Sequence, residues 1–116
     1  MSTFRDISQV EVFDEVIGSG SLTLVKFQSE LCVICRKLDP MLVAVKNGFE
    51  KSINVANADV EANIDLANRY NIQTLPTLIL FKKGTELDRL QGFQTASMLR
   101  NWITPFLESL GNERKK

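Results

Sequence analysis

The sequence predicts an α/β fold in which helices flank both faces of a central mixed β-sheet. Strand-like and helix-like segments follow one another in the order β-α-β-α-β-α-β-β-α, which is typical of crossover helices packed on a sheet. The segment Leu22–Phe27 is mostly apolar on both faces, as a central strand covered from both sides should be. The segments Thr77–Phe81 and Thr85–Gln91 flank Lys82-Lys83-Gly84, which indicates an antiparallel hairpin.

Each element is predicted from its hydrophobic spacing. Apolar residues at helical spacing indicate helices, and short runs rich in β-branched and aromatic residues indicate strands. The predicted elements are, in chain order, an extended segment at Phe4–Ile7, a helix ending at Ile17, a strand at Leu22–Phe27, a helix at Cys32–Phe49, a strand at Ile53–Ala58, a helix at Ile64–Tyr70, the two hairpin strands, and a helix at Thr95–Leu110.

Several residues mark helix ends or irregularities. Ser8 and Glu11 have the spacing of a capping box at the start of the first helix. Asn71 is a candidate left-handed cap after the third helix. Pro40 and Pro105 fall inside helices, where a proline lacks the amide donor and is expected to kink or bend the helix.

Length and charge restrict the class of protein. The 116 residues suit one domain at 1–110, followed by a mobile basic tail at 111–116. Fourteen basic residues balance fourteen acidic ones, so no basic surface for nucleic acid or an anionic membrane is expected. The longest apolar run, Leu75–Phe81, is too short to span a bilayer. We expect a cytoplasmic monomer, unless an export signal has been removed.

The sequence contains no histidine and two cysteines, Cys32 and Cys35. The missing histidine excludes histidine-based acid–base catalysis and histidine-ligated metals. A crosslink over so short a loop stabilises little, so a purely structural disulfide is a poor explanation of the pair. We expect no metal site within the chain, because two thiolates need further ligands. A metal bridging two chains remains an alternative.

The position of the two cysteines favours redox chemistry. They lie directly after a predicted central strand and open a predicted helix. The amides and dipole at a helix start stabilise a thiolate and lower the thiol pKa from its usual value of about 8.5. Cys32 is predicted to be the more exposed thiol, with Cys35 deeper on the same side of the helix. Such an arrangement suits a nucleophile and its resolving partner in disulfide exchange.

Several segments occur together in the order and spacing of a known family. They are Leu24-Val-Lys-Phe27, Cys32-Val-Ile-Cys35, the helix proline Pro40, Leu75-Pro76-Thr77 ahead of Leu78-Ile-Leu-Phe81 and Lys83-Gly84, and Gly92 after the last strand. On these residues the chain resembles the thioredoxin family over roughly Phe4–Leu110.

The resemblance implies a fold, a mechanism and partners. The fold is the thioredoxin fold, with a cis Leu75–Pro76 bond lying against the disulfide. Cys32 attacks a protein disulfide and Cys35 resolves the mixed disulfide, which leaves a Cys32–Cys35 bridge. No cofactor is bound, because the electrons reside on the two sulfurs. The resemblance also implies reduction by a thioredoxin reductase that draws on NADPH.

The candidate substrate-binding residues surround this pair. Leu31, Val33 and Ile34 are apolar residues beside a thiol expected to be exposed, and they are interpreted as a docking patch. In the alternative, Ile34 turns inward. The resemblance adds a groove in which a substrate segment pairs with backbone beside Leu75. The full set of predicted substrate-binding residues is Leu31, Val33, Leu75, Pro76 and Gly92.

Two departures from the family concern redox tuning. The usual Trp-Cys-Gly-Pro-Cys is replaced by Leu31-Cys-Val-Ile-Cys35, so the family's potential does not transfer. Lys26 stands where the family usually has a buried aspartate. A charged Lys26 would stabilise thiolates and make the pair more oxidising, whereas a neutral one would accept the proton of Cys35. In a third alternative its amine reaches solvent and has no such role.

The function that the sequence predicts is thiol–disulfide exchange on protein disulfides through the Cys32/Cys35 dithiol. The alternative is a thioredoxin-fold interaction module that binds another protein with little turnover. A glutaredoxin is less well supported, because the chain is longer than that family and has no glutathione-site motif.

Overall fold

Strands and helices alternate along the chain in a computed structural model that describes residues 5–7, 10–49 and 52–114. Ser8 of the predicted capping box lies outside these ranges. The elements are β1 (Arg5–Ile7), α1 (Val10–Ile17), β2 (Leu22–Gln28), α2 (Val33–Phe49), β3 (Ile53–Asp59), α3 (Ile64–Arg69), β4 (Thr77–Lys82), β5 (Thr85–Gln91) and α4 (Ala96–Arg114).

The five strands form one mixed sheet with the order β1-β3-β2-β4-β5. Strand β2 is at its centre and pairs in parallel with β3 and antiparallel with β4. Strand β1 extends the parallel side, and β5 extends the antiparallel side through the β4–β5 hairpin. This arrangement confirms the predicted mixed sheet with an antiparallel hairpin.

Alternate residues of β2 enter two separate layers of core. Leu22 and Leu24 face the layer that α2 and α4 cover, and Val25 and Phe27 face the layer that α1 and α3 cover. The first layer is completed by these buried side chains: Leu38, Leu42, Val45, Ile53, Leu78, Leu80, Leu99 and Ile103. Helices therefore cover both faces of the sheet, as the two-sided apolar pattern of β2 predicts.

Aromatic side chains fill the second layer. The Phe13 ring packs edge-on against Phe81 at 5.6 Å between centroids, and it lies 5.4 Å from Tyr70 and 6.0 Å from Phe27. Such pairs contribute about 0.5–1.5 kcal/mol beyond the area that they bury. Phe13 therefore anchors α1 to the sheet, on the face opposite α2.

Two connections use left-handed backbone where the sequence predicts turns. Asn71 follows α3 with φ +52°, which confirms it as the left-handed residue after that helix. Lys83 and Gly84, between β4 and β5, have φ +50° and +82°. Two successive positive φ values fit the twist of a tight hairpin.

The ends and interiors of the helices differ in part from the sequence prediction. Helix α2 is continuous through Pro40 and α4 through Pro105; the kinks remain predictions. The predicted end of α4 at Leu110 is wrong, because the helix continues to Arg114. Glu113 and Arg114 favour a helix, whereas a glycine such as Gly111 costs only about 1 kcal/mol within one. The mobility of the tail remains a prediction.

Candidate active site

The strand register brings the predicted site segments to one edge of the sheet. Gln28 at the end of β2 lies opposite Asp59 at the end of β3. Thr77 at the start of β4 lies between Phe27 of β2 and Gln91 at the end of β5. The cysteines follow β2, Pro76 precedes β4, and Gly92 follows β5. All three segments therefore belong to the same edge.

Cys32 and Cys35 form a disulfide at the start of α2, with their Cα atoms 5.3 Å apart. Cys32 directly precedes the helix. Its sulfur accepts a hydrogen bond from the Cys35 amide at 3.2 Å, and its carbonyl accepts one from the Arg36 amide at 3.4 Å. A free amide at a helix start therefore already points at the Cys32 sulfur, where it would stabilise a thiolate.

The two cysteines differ in exposure as the sequence predicts. Cys32 is partly exposed, whereas Cys35 is completely buried. Helix spacing accounts for the difference, because a residue three positions further along lies on the same side of the helix but one turn deeper. Of the two cysteines, Cys32 is therefore the one with surface accessible from outside the protein.

Lys26 lies behind the disulfide and is completely buried. Its Nζ donates to the Cys35 carbonyl oxygen at 3.2 Å and forms an ion pair with Asp39 Oδ1. The alternative in which the Lys26 amine reaches solvent is therefore wrong. The amine instead ends at the Asp39 side chain, which keeps 28% of its surface exposed.

Asp39 is the site residue that sequence reasoning misses. It is four positions after Cys35 on α2, so the two side chains project from the same face of the helix. The sequence does contain a signal for Asp39. An acidic residue stands one helical turn after the second cysteine, and a lysine stands at a position of β2 that points inward. Neither residue alone identifies the pair, because charged residues in helices are usually solvated.

The loop before β4 and the residue after β5 are joined by a hydrogen bond. The Leu75–Pro76 peptide bond is cis, Pro76 is buried, and Leu75 packs partly buried against the core layer of α1. The Gly92 amide donates to the Pro76 carbonyl oxygen at 2.8 Å, and Gly92 has φ +84°. The structure thus brings together the predicted residues Pro76 and Gly92.

Replacing Gly92 by alanine is expected to lower the free energy of unfolding. At φ +84° a side chain is strained by roughly 1–2 kcal/mol. The space around its Cβ position is open, so the loss comes from backbone conformation and not from a clash. Denaturant unfolding of Gly92→Ala beside Gly20→Ala measures this, since Gly20 also has open space but no left-handed φ. Equal losses in the two variants would contradict it.

Exposed apolar side chains occur next to the two cysteines and directly after Gly92. Leu31 is 85% exposed, and Val33 and Ile34 are each about half exposed. The alternative in which Ile34 turns inward is therefore wrong. Phe93, which sequence reasoning did not single out, follows Gly92 and is 44% exposed. We call Leu31, Val33, Ile34 and Phe93 the apolar rim.

The described part of the chain contains no cluster of side chains that could bind a metal ion. Residues 5–7, 10–49 and 52–114 contain no group of three or more His, Cys, Asp or Glu residues that could hold a metal ion. Within the same ranges, no helix is both long enough and apolar enough to cross a membrane. The chemistry that the described site offers is the making and breaking of the Cys32–Cys35 bond.

The fold and this disulfide define a thioredoxin-fold protein with a dithiol at the start of its second helix. The family model described as thioredoxin matches residues 6–105. The chain belongs to the thioredoxin family, and it is a thiol–disulfide oxidoreductase.

Two relatives agree with this assignment, and a solved structure agrees with the fold. A thioredoxin of Rickettsia bellii is 31% identical over 90 residues, which cover 78% of this chain and 86% of the relative. A thioredoxin-like protein of Synechocystis is 34% identical over the same shares of the two chains. The crystal structure of thioredoxin from Trypanosoma brucei brucei matches with a TM-score of 0.83 at 22% identity, over 91% of this chain and 92% of that one. This last likeness concerns the fold alone.

Proposed function

We propose that this oxidoreductase acts on protein disulfides, with Cys32 as the nucleophile and Cys35 as the resolving thiol. One observation carries the proposal: Cys32 is partly exposed and its sulfur accepts a hydrogen bond from the Cys35 amide, while Cys35 is completely buried. An exposed, amide-stabilised sulfur favours attack on a substrate. A buried partner favours the intramolecular second step.

In the first step, the Cys32 thiolate attacks one sulfur of the substrate disulfide. A bond forms between Cys32 Sγ and that sulfur, and the substrate S–S bond breaks. The second substrate sulfur leaves with the electron pair as a thiolate and takes a proton from water. The Cys35 N–H, 3.2 Å from Cys32 Sγ, favours the attacking anion.

In the second step, the Cys35 thiol loses its proton and attacks Cys32 Sγ. The Cys32–Cys35 bond forms, the mixed disulfide breaks, and the remaining substrate sulfur leaves as a thiolate. The substrate has gained two electrons, and the enzyme dithiol has lost them. The Cα separation of 5.3 Å supports this step, because it lies within the usual range for a bridged pair.

The substrate segment is proposed to bind across the edge that carries the disulfide. The binding residues are those named from the sequence, Leu31, Val33, Leu75, Pro76 and Gly92, to which we add Phe93. Exposed apolar side chains beside a reactive sulfur favour contact with an unfolded or extended protein segment. The backbone beside Leu75 is proposed to pair with that segment.

Replacing Leu31 by serine is expected to lower kcat/KM for a protein disulfide by roughly tenfold, because contact with Leu31 removes apolar surface from water. A small aromatic disulfide makes less of this contact, so its rate should fall much less. Steady-state reduction of both substrates measures the ratio. Leu87→Ser is the control, since Leu87 is an exposed leucine within β5. An equal loss for both substrates would argue against a docking role.

The remaining partners follow from family membership. The oxidised enzyme is proposed to receive electrons from a thioredoxin reductase that draws on NADPH, and to carry them to cytoplasmic proteins as a monomer. It is proposed to bind no cofactor and no nucleic acid. The balanced charge of 14 basic and 14 acidic residues supports the last point.

Two measurements test the proposal: the catalytic turnover of a protein disulfide, and the retention of a bound client protein. Reduction of a protein disulfide is measured with a dithiol as the electron source, for the wild type and for the Cys32→Ser/Cys35→Ser variant. An oxidoreductase turns over repeatedly, and the double variant does not. An interaction module instead shows little turnover and keeps its client when both cysteines are replaced. That second pattern would favour the module, to which the exposed apolar rim is also suited.

A further inference from the structure

We infer that Asp39 is a positioning residue for the resolving step: it holds the buried Lys26 amine in its charged form beneath Cys35. The inference rests on the proposed roles of Cys32 and Cys35. It assigns to Asp39 and Lys26 together the place that one buried acid usually has in this family, with the charge behind the thiols reversed.

The geometry gives Lys26 one neutral and one charged acceptor. Its Nζ donates to the Cys35 carbonyl oxygen at 3.2 Å and pairs with Asp39 Oδ1. The Lys26 side chain has no exposed surface, so water does not solvate the amine. Burial alone disfavours an ammonium ion, and a carbonyl dipole compensates only part of the lost hydration. The carboxylate of Asp39 supplies the opposite charge that keeps the proton on Lys26.

The strand register places uncharged residues beside Lys26. The register partners of Lys26 are Asn57 on β3 and Leu78 on β4, which are both buried and uncharged. Asp59 lies at the end of β3. Its carboxylate accepts the Glu61 amide at 2.8 Å and so caps the following turn.

Helices α2 and α4 also support Asp39 as the charged partner of Lys26. On α2, the Arg36 guanidinium donates to the Glu30 carbonyl oxygen at 3.0 Å, and Lys37 is exposed. Helix α4 contributes apolar side chains to this layer of core. Among the residues that the structure describes, Asp39 is therefore the ionised group placed to pair with Lys26.

The pair acts on the second step of disulfide exchange. A Lys26 ammonium bonded to the Cys35 backbone stabilises the Cys35 thiolate, which then attacks Cys32 Sγ as described above. The proton that Cys35 loses passes to water, because Lys26 keeps its own proton. Asp39 acts through Lys26 and makes no bond to the reacting sulfurs.

The test uses 5,5′-dithiobis(2-nitrobenzoic acid), an aromatic disulfide whose two coloured halves are released in sequence. The reduced enzyme releases one half when Cys32 attacks and the other when Cys35 resolves the mixed disulfide. Stopped-flow measurement of the second release across pH gives the midpoint of the resolving step. We expect Asp39→Asn to raise this midpoint by roughly one to three pH units, because an uncompensated Lys26 loses its proton and no longer stabilises the thiolate.

Further variants show whether Asp39 acts on the resolving step through Lys26 or directly. Lys26→Met should raise the midpoint as Asp39→Asn does, and adding Asp39→Asn to it should change little. Asp39→Glu should restore most of the wild-type midpoint. Asp65→Asn, which removes an exposed acid on α3, is the matched control and should not move it. If Asp39→Asn does not fold, Asp39→Ser makes the same removal of charge.

An independent readout is the protonation of Lys26, followed by the NMR chemical shift of its side-chain carbon next to the nitrogen. The pH dependence of this chemical shift should differ between the wild type and Asp39→Asn, and it should be the same in the wild type and Asp65→Asn. The inference is overturned if Asp39→Asn lowers the midpoint of the resolving step or leaves it unchanged. It is also overturned if Asp39→Asn raises that midpoint by the same amount when Lys26 is already replaced by methionine. Release of only one coloured half by the wild type would instead refute the proposed role of Cys35.

Discussion

Replacing Cys32 by serine is expected to lower the rate of protein-disulfide reduction by roughly a thousandfold or more, to the uncatalysed level. The hydroxyl of serine is not ionised near neutral pH, so it is a far weaker nucleophile than a thiolate. Cys35 cannot take over, because its sulfur is buried. The rate is measured with a dithiol as electron source and with the folded state of the variant checked by circular dichroism.

Cys35→Ser should give a different defect, which makes the two roles separable. Cys32 still attacks, but the mixed disulfide has no resolving thiol, so it accumulates as a covalent adduct. Mass spectrometry of the reaction mixture detects that adduct through Cys32. An adduct through Cys35 in the Cys32→Ser variant, or full activity in either variant, would assign the roles differently.

Replacing Phe13 by alanine is expected to lower the free energy of unfolding by about 3–5 kcal/mol. Phe13 is completely buried and contacts three other aromatic rings, so the change removes packing on several sides. Glu15→Ala on the same helix is the control, because Glu15 is exposed and such changes usually stay within about 0.5 kcal/mol. Denaturant unfolding followed by circular dichroism measures both.

The same variant tests whether the two core layers are independent. Phe13 lies in the layer of α1 and α3, whereas the disulfide begins α2 on the other face of the sheet. Where Phe13→Ala is fully folded, its rate of exchange with a small disulfide should match that of the wild type. A protein disulfide also tests Leu75, which packs against this layer. A large loss of rate in the folded variant would show that the aromatic layer also shapes the site.

The sheet and the cysteine pair were predictable because their signals are local. Two-sided apolar residues in Leu22–Phe27 indicate a central strand, and two cysteines at a strand–helix junction indicate redox chemistry. The contact between Lys26 and Asp39 was not predictable in this way. The two residues are 13 positions apart, and their meeting depends on the rotation of α2 over the sheet.

The end of α4 was predicted incorrectly for a related reason. A glycine at 111 followed by polar residues is typical of a helix end, and this local pattern placed the boundary at Leu110. The helix nevertheless continues to Arg114, since the residues that follow favour helical backbone. Local stop signals of this kind are weak when they consist of a single glycine.

The ion pair between Lys26 and Asp39 also has a consequence for how the domain assembles. Rotating α2 by one residue, about 100°, would turn the carboxylate away and leave a charged amine enclosed in apolar surroundings. Apolar contacts tolerate many alternative arrangements of a helix on a sheet, whereas a buried charge tolerates very few. The pair therefore restricts the rotation of α2 about its own axis on the sheet, and this restriction fixes the direction in which the cysteines face.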